Sequence, residues 1–292
     1  MANVKEILER IQSITSMQQI TKTMKLISVS KFSRSQNTLK RIKEYDSTLD
    51  SMINNIFSED LTCFVENLIK PRKCKNNALI IPVGSDRGFC GAFNKNVIKI
   101  FCDVLKEKKE QYESITIMPI GKKIYSHVKN IHDKVVDIED NLISKTDDNL
   151  LRKCANNIIC DYLNGTYDDV VIVYNDFVSA TTQNVSVVQM LPFNFINKSK
   201  NEGTVIGNCL FEPSEYEVLK ELLMVKVRSL FAKCIVSSVT AEHGARMVNM
   251  NKANDNADSL LVSLRTLYNQ TRQTAVTSEI IEISAGANAI NG

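Results

Sequence analysis

The chain lacks the residues that interrupt helices at both of its ends. Residues 1–70 contain neither glycine nor proline, and residues 214–292 contain no proline and only Gly244, Gly286 and Gly292. All five prolines and seven of the ten glycines lie between these stretches. Gly and Pro are the strongest local breakers of helix, so the pattern predicts two very long terminal helices flanking a compact middle. Tryptophan is absent, and there are only three histidines. No uninterrupted apolar run is long enough to span a bilayer, which excludes a conventional membrane-spanning helix. The eight cysteines form no C-x-x-C pair and have no histidine at metal-ligand spacing. They read as small buried hydrophobes of a reducing compartment, as in Asn157-Ile158-Ile159-Cys160. A net charge of +3 excludes polyelectrolyte character overall.

The charge that is present is uneven. Residues 1–43 carry nine basic groups, among them Lys22, Lys25, Lys31 and Arg34, against Glu6 and Glu9. A basic amphipathic presequence, a helix for nucleic acid or a membrane surface, and a solvated face meeting an acidic partner all fit this pattern. The periodicity runs far past any cleavable segment. Asn3 and Glu6 have capping-box spacing. From there Val4, Ile7, Leu8, Ile11, Ile14, Met17, Ile20, Met24 and Ile27 step by threes and fours, and Leu39, Ile42, Leu49, Met52, Ile53 and Ile56 continue the stripe. One helix over residues 3–56 is about 80 Å long by its rise per residue. No domain of this size encloses such a helix, so part of it must protrude or pair with another helix.

At the other end, Pro213-Ser214-Glu215-Tyr216-Glu217 is a helix start with an S-x-x-E box. Leu219, Leu222, Leu223, Val227, Leu230, Phe231, Cys234 and Ile235 follow at helical spacing. After a polar patch, Ala253, Ala257, Leu260, Leu264, Leu267 and Thr271 have coiled-coil phasing, and Gly244 is a candidate bend. Two such helices, joined through a body that turns the chain around, predict an antiparallel pair. The expected division is residues 1–70, the N-terminal helix; 71–213, a central domain; and 214–292, the C-terminal helix.

The middle alternates strand and helix. Strands are predicted at 78–83, 114–120, 135–138, 169–174 and 184–191, and helices at 93–109, 122–129 and 147–163. Continuous apolar strands between helices predict a Rossmann-like α/β domain with a mainly parallel sheet. Gly84-Ser85-Asp86-Arg87-Gly88-Phe89-Cys90-Gly91 follows the first strand, where a phosphate loop would sit. It lacks the Gly-Lys-Ser/Thr ending of a Walker loop and the G-x-G-x-x-G spacing. It therefore reads as a structural turn fixed by Asp86, Arg87 and Gly88, and no ATP or NAD binding is expected. The spacing around His127, His132 and His243 specifies no carboxylate–Ser or Cys arrangement, and each reads as a surface or capping residue. Glu139-Asp140 and Asp147-Asp148 read as loops or helix starts.

Three stretches carry a resemblance. The first is Lys5-Glu6-Ile7 with Arg10-Ile11 and Gln19-Ile20-Thr21-Lys22-Thr23-Met24-Lys25. The second is Ser85 to Asn94. The third runs from Glu242 through Ala245-Arg246-Met247-Val248, Asp255-Asn256-Ala257, Tyr268-Asn269, Arg272-Gln273 and Thr277-Ser278-Glu279-Ile280 to Gly286-Ala287. In this order, over the whole chain, they resemble the gamma subunit of the rotary ATP synthase. Leu8, Glu9, Asn249, Asn254, Arg265 and Leu267 depart from the family pattern without removing a motif-defining residue.

The resemblance implies an asymmetric antiparallel coiled coil turning inside a hexamer of alpha and beta subunits. Its α/β body would rest on the c-subunit ring beside the epsilon subunit, with one copy per complex and no nucleic acid. It implies a non-catalytic subunit with no cofactor and no metal, whose rotation cycles the beta-subunit sites through binding, synthesis and release. Met24, Lys25, Arg246, Arg272, Gln273, Thr277 and Glu279 fall on positions tied in the family to beta contact and coupling. The basic N-terminal face would then meet acidic levers of the beta subunits. The location expected is the cytoplasmic face of a bacterial inner membrane, held peripherally; a mature organellar chain would look similar.

Overall fold

The structure is a computed structural model that describes residues 4–56, 68–69, 72, 76–131, 134–136, 148–193 and 211–291. Asn3, His132, Ile138, Glu139, Asp140, Asp147, Cys63, Cys74 and Cys209, together with the expected boundary at 70/71, lie outside these residues.

Helix α1 spans Val4–Ile56 without a break, as the absence of Gly and Pro requires. Helix α5 spans Glu215–Asn291, 77 residues. Its start is capped as the sequence predicts: the Glu217 amide donates to Ser214 Oγ at 3.3 Å. Between them run β1 (Asn77–Pro82), α2 (Phe93–Gln111), β2 (Ser114–Ile117), α3 (Lys122–Val128), α4 (Asp148–Leu163), β3 (Asp169–Phe177) and β4 (Gln183–Leu191). The strand order is β2-β1-β3-β4. The first three strands are parallel, and β4 runs antiparallel to β3. Val135, in the strand expected at 135–138, contributes only a single parallel bridge to Ile117.

Alternate side chains of the apolar strands serve two cores. Leu79, Ile81, Val170 and Ile172 pack with Leu151, Ala155, Ile158 and Tyr162 of α4, with Ile53 of α1, and with Leu219, Leu223, Val227 and Phe231 of α5. Ile80, Val171 and Val173 face Val97, Phe101 and Val104 of α2 on the other side. A strand covered on both faces has no use for a polar alternation, which is why β1 and β3 read as continuous apolar runs. Gly84 ends β1 at a close approach: a Cβ there would stand 2.4 Å from Ile124 Cδ1.

The chain divides into two compact units, one of Met1–Ser28 with Arg246–Gly292 and the other of Val29–Ala245. Each contains part of both long helices. In the second unit Phe32 lies against Phe177 edge-on, with ring centroids 5.5 Å apart. A Cβ at Gly244 would stand 3.3 Å from Phe32 and 3.5 Å from the Ala180 backbone. Helix α5 continues through Gly244, so this glycine marks a close approach and not an end of the helix. Ser237 ties α5 to the end of β3, donating to Asp176 and accepting from the Phe177 amide, both at 2.9 Å.

Candidate functional site

The covered residues of α1 define a regular seam. Val4, Ile7, Ile11, Ile14, Gln18, Thr21, Lys25, Ser28, Phe32, Ser35, Leu39, Ile42, Asp46, Leu49, Ile53 and Ile56 are buried or half-buried in alternating steps of three and four, with Thr15 and Met24 half-buried beside that line. That is a heptad frame. It matches the apolar stripe expected from sequence at Leu39, Ile42, Leu49, Ile53 and Ile56, and departs from it at Leu8 and Met52, which are exposed, and between Ile14 and Leu39. Met17, Ile20 and Ile27 are exposed, at 53–60%. Gln18, Thr21, Lys25 and Ser28 hold the seam in their place.

The polar seam has partners. In the first unit Gln18 Nε2 donates to Asp258, and Lys25 Nζ donates to Asn251 Oδ1 at 2.5 Å. Asn251 and Asn254 are in turn hydrogen-bonded to Asp255 and Asp258 one turn on. The two helices therefore run in opposite directions here, as expected. On α5 in this unit the buried apolar residues are Met250, Ala257 and Leu261. Leu260 and Leu267, expected in the seam, are exposed, because the polar pairs fix a phase that carries Leu261 inward.

Met24 joins Ser16, Gln19, Ile20 and Thr23 around a shallow open depression on α1. Lys25 is turned to α5, and Arg246 is buried. Arg272, Gln273, Thr277 and Glu279 are exposed, and Thr277 donates its hydroxyl to the Gln273 carbonyl at 2.8 Å. The structure thus brings the last four together on one exposed segment, which also bears exposed Val276, Ile280, Ile281 and Ile283.

The 84–91 loop is tied down by its own residues and by the starts of α2 and α3. Asp86 Oδ1 accepts from the Lys122 amide at 3.3 Å, and Ser85 Oγ donates to the Arg87 carbonyl at 2.8 Å. The Asn94 side chain accepts from the Ser85 amide and donates to Ser85 Oγ, at 3.0 and 2.7 Å. The Ser85 amide is thereby taken up within the loop's own network. Gly88 is half-buried, and Phe89 is 67% exposed at φ 65°.

Sequence reading missed the densest polar cluster. In the second unit Asp46 of α1 is buried and accepts from Lys226 Nζ at 2.7 Å, Lys233 Nζ at 2.8 Å and Ser229 Oγ at 3.4 Å. Lys226 also reaches Asp50 at 2.6 Å. Burial pushes the Asp46 carboxyl upward, but hydrogen bonds and charge from Lys226 and Lys233 outweigh it and hold the group below its ordinary value. Burial likewise pulls the Lys233 ammonium down, and the Asp46 hydrogen bond and charge bring it above its ordinary value. The available signal was an aspartate at heptad spacing from Leu39 and Ile53.

Among the described residues no group of three or more His, Cys, Asp or Glu side chains could hold a metal ion, and no helix is long and apolar enough to cross a membrane. The described cysteines are free thiols. Burial pushes the Cys234 thiol up to about 12, so it is chemically inert. Cys160 is exposed, against expectation, because Ile158 and Ile159 take the inward positions of α4.

Two long terminal helices that flank an α/β domain in sequence, run antiparallel through a partly polar seam and leave apolar side chains exposed define an α/β protein with a long helix pair. A family described as ATP synthase matches residues 3–290. ATP synthase gamma chains of Bdellovibrio bacteriovorus and Flavobacterium johnsoniae are 34% and 35% identical, each over all of both chains. In solved structures, a chain of the Euglena gracilis mitochondrial ATP synthase (OSCP/F1/c-ring, rotational state 3) has a TM-score of 0.67 at 19% identity, covering 98% of this chain and 94% of that one. One from the Tetrahymena thermophila mitochondrial ATP synthase central stalk/c-ring has 0.56 at 20% identity, covering 80% and 99%. The chain belongs to the ATP synthase gamma-chain family.

Proposed function

We propose that this chain is the central rotor shaft of a rotary ATP synthase. It contributes no catalytic group; the reacting sites lie on beta subunits. Rotation of a c-subunit ring turns the body formed by residues 71–213, and the helices 1–70 and 214–292 turn with it. An asymmetric helix pair offers each beta subunit a different face. It is therefore a differential ligand for their open and closed states, and that difference in binding free energy is what coupling requires.

The observation that carries this reading is the apolar surface the terminal helices leave bare: Val262, Val276, Ile280, Ile281 and Ile283 on α5, and Met17, Ile20 and Ile27 on α1. Exposed apolar patches mark interaction surfaces. A sleeve of alpha and beta subunits supplies the cover. Within it Arg272, Gln273, Thr277 and Glu279 would meet beta-subunit hydrogen-bond partners, and Met24 and the basic face of α1 would meet an acidic lever. Lys25 and Arg246, turned inward, would act by holding the helices in place. An epsilon subunit and the c ring would bind the body, placing the chain peripherally at a membrane, on the cytoplasmic side of a bacterial inner membrane.

The test is reconstitution with alpha and beta subunits. Bead rotation driven by ATP is expected with the wild-type chain. Arg272→Ala with Gln273→Ala is expected to lower torque while leaving the chain folded. A complex that forms but does not rotate would overturn the rotor reading, and unchanged torque in the double variant would remove those two residues from it.

A further inference from the structure

We propose that Asp46, Lys226 and Lys233 form a register lock: positioning residues that fix the axial and rotational phase of α1 against α5 and so set the torsional stiffness of the shaft. The stiffness half of this proposal rests on the rotor reading; the register half does not.

Asp46 stands at the same heptad position as Leu39 and Ile53, where an apolar side chain would pack equally well in several registers. Across from it, Lys226 and Lys233 are themselves one heptad apart and share their position with buried Leu219. One carboxylate is thus gripped from above and below by two ammonium groups, at 2.7 and 2.8 Å. Lys226 and the Asp46 carboxylate are both about 95% buried, with side-chain exposures of 5% and 6%. Sliding either helix by one turn, about 5.4 Å, would leave at least one of these buried charges unpaired.

An apolar heptad contact has no comparable memory, since the next turn offers another hydrophobe. Buried ion pairs add little net stability compared with well-packed apolar groups, but polar residues at core heptad positions specify register. Ser229 and Asp50 complete the cluster, so that two carboxylates face two ammonium groups and the net charge is balanced. The cluster lies in the same unit as Ser237, which fastens α5 to β3. A phase error at the cluster would therefore be an error between the two helices and not a detachment of α5 from the sheet.

The experiment replaces the lock by apolar groups of similar size, Asp46→Leu with Lys226→Met and Lys233→Met. This preserves packing and leaves no buried charge. Spin labels on noncanonical residues at the exposed positions Lys40 and Lys220 report the distance between the helices by pulsed dipolar spectroscopy. Wild type is expected to give one narrow distance. The triple variant is expected to give a distribution shifted or broadened by about one helical turn, ~5 Å. In the reconstituted alpha–beta complex, stalled with the body carrying a bead, the variant is expected to show wider angular fluctuation.

An unchanged distance would overturn the lock. A changed distance with unchanged fluctuation would overturn its part in stiffness. Lys233→Met alone keeps the fully buried pair and its fold, and carries the same two measurements if the triple variant does not assemble. Failure of the wild-type complex to rotate would count against the rotor reading and leave the distance result standing.

Discussion

One helix behaves in two ways along its length. Between Leu219 and Ala245, α5 buries Leu219, Leu223, Val227, Phe231, Cys234, Ile235, Val239 and Ala241. Between Val262 and Ile283 the same helix leaves Val262, Val276, Ile280, Ile281 and Ile283 at 48–67% exposure. Composition does not separate the two stretches, since both are rich in β-branched and small residues. What separates them is whether this chain supplies the cover. Burying a large apolar side chain stabilises by roughly 1.5–3 kcal/mol, and the far stretch forgoes that gain within the isolated chain. The stretch from Leu219 to Ala245 is covered by the chain's own fold; the apolar side chains between Val262 and Ile283 are not.

The sharpest way to break this contrast is one substitution in each stretch. Phe231→Ala removes a fully buried ring from the core and is expected to cost about 3–5 kcal/mol in urea unfolding of the isolated chain. Ile281→Ala, 62% exposed, is expected to change that unfolding by less than about 0.5 kcal/mol while weakening binding to the alpha–beta complex. Equal losses of stability at both positions would mean that the chain buries its own far end.

Asp46→Ala comes next. It leaves Lys233 and, in part, Lys226 without a counter-charge, and is expected to cost about 3 kcal/mol. Lys25→Ala, which opens a half-exposed pair with Asn251, is expected to cost at most about 1 kcal/mol. The sign of the pH dependence follows from the directions of shift. Asp46 lies below its ordinary 3.8 in the folded chain, so its contribution is present above 3.8 and is lost as pH falls through the lower folded value. Lys233 lies above its ordinary 10.5, so its contribution is present below 10.5 and is lost as pH rises through the higher folded value. The stability gap between wild type and Asp46→Asn is therefore expected to stay constant through neutral pH and to narrow on acidification below 3.8. A gap that widens there would contradict the ion-pair account.

The same division explains what could be read from the sequence. The terminal helices were legible because Gly and Pro are absent, and β1 and β3 because strands covered on both faces are continuously apolar. The direction of β4 was not read, although five residues, 178–182, join it to β3. So short a connection admits only an antiparallel hairpin. The seam of α1 was legible from hydrophobicity at Leu39, Ile42, Leu49, Ile53 and Ile56, but not at Gln18, Lys25 and Asp46, which are held there by partners 180 or more residues away along the chain. Their heptad spacing was visible; their contacts were not. Nor could Leu260 be separated from Leu261, since the choice depends on the phase those polar pairs impose. The residues Arg272, Gln273, Thr277 and Glu279 came only from resemblance, for an exposed polar side chain on a helix carries no local mark of its partner.

Two glycines bring the comparison to its smallest scale. Gly84 lies in the central domain, where an added methyl would collide with Ile124 at 2.4 Å; Gly84→Ala is expected to cost about 1–3 kcal/mol by overpacking. Gly286 lies in the far stretch of α5, where an added Cβ meets nothing within 4 Å. In the isolated chain, Gly286→Ala removes a helix-disfavouring residue and is expected to raise local helix stability by up to about 1 kcal/mol, read as slower amide exchange around position 286. In the assembled complex the two effects separate. If a surrounding sleeve approaches the helix backbone at this glycine, the same methyl that stabilises the free chain will lower its affinity for the alpha–beta hexamer. If affinity is unchanged, the sleeve stands off at position 286, and the close cover belongs to the exposed isoleucines at 280, 281 and 283.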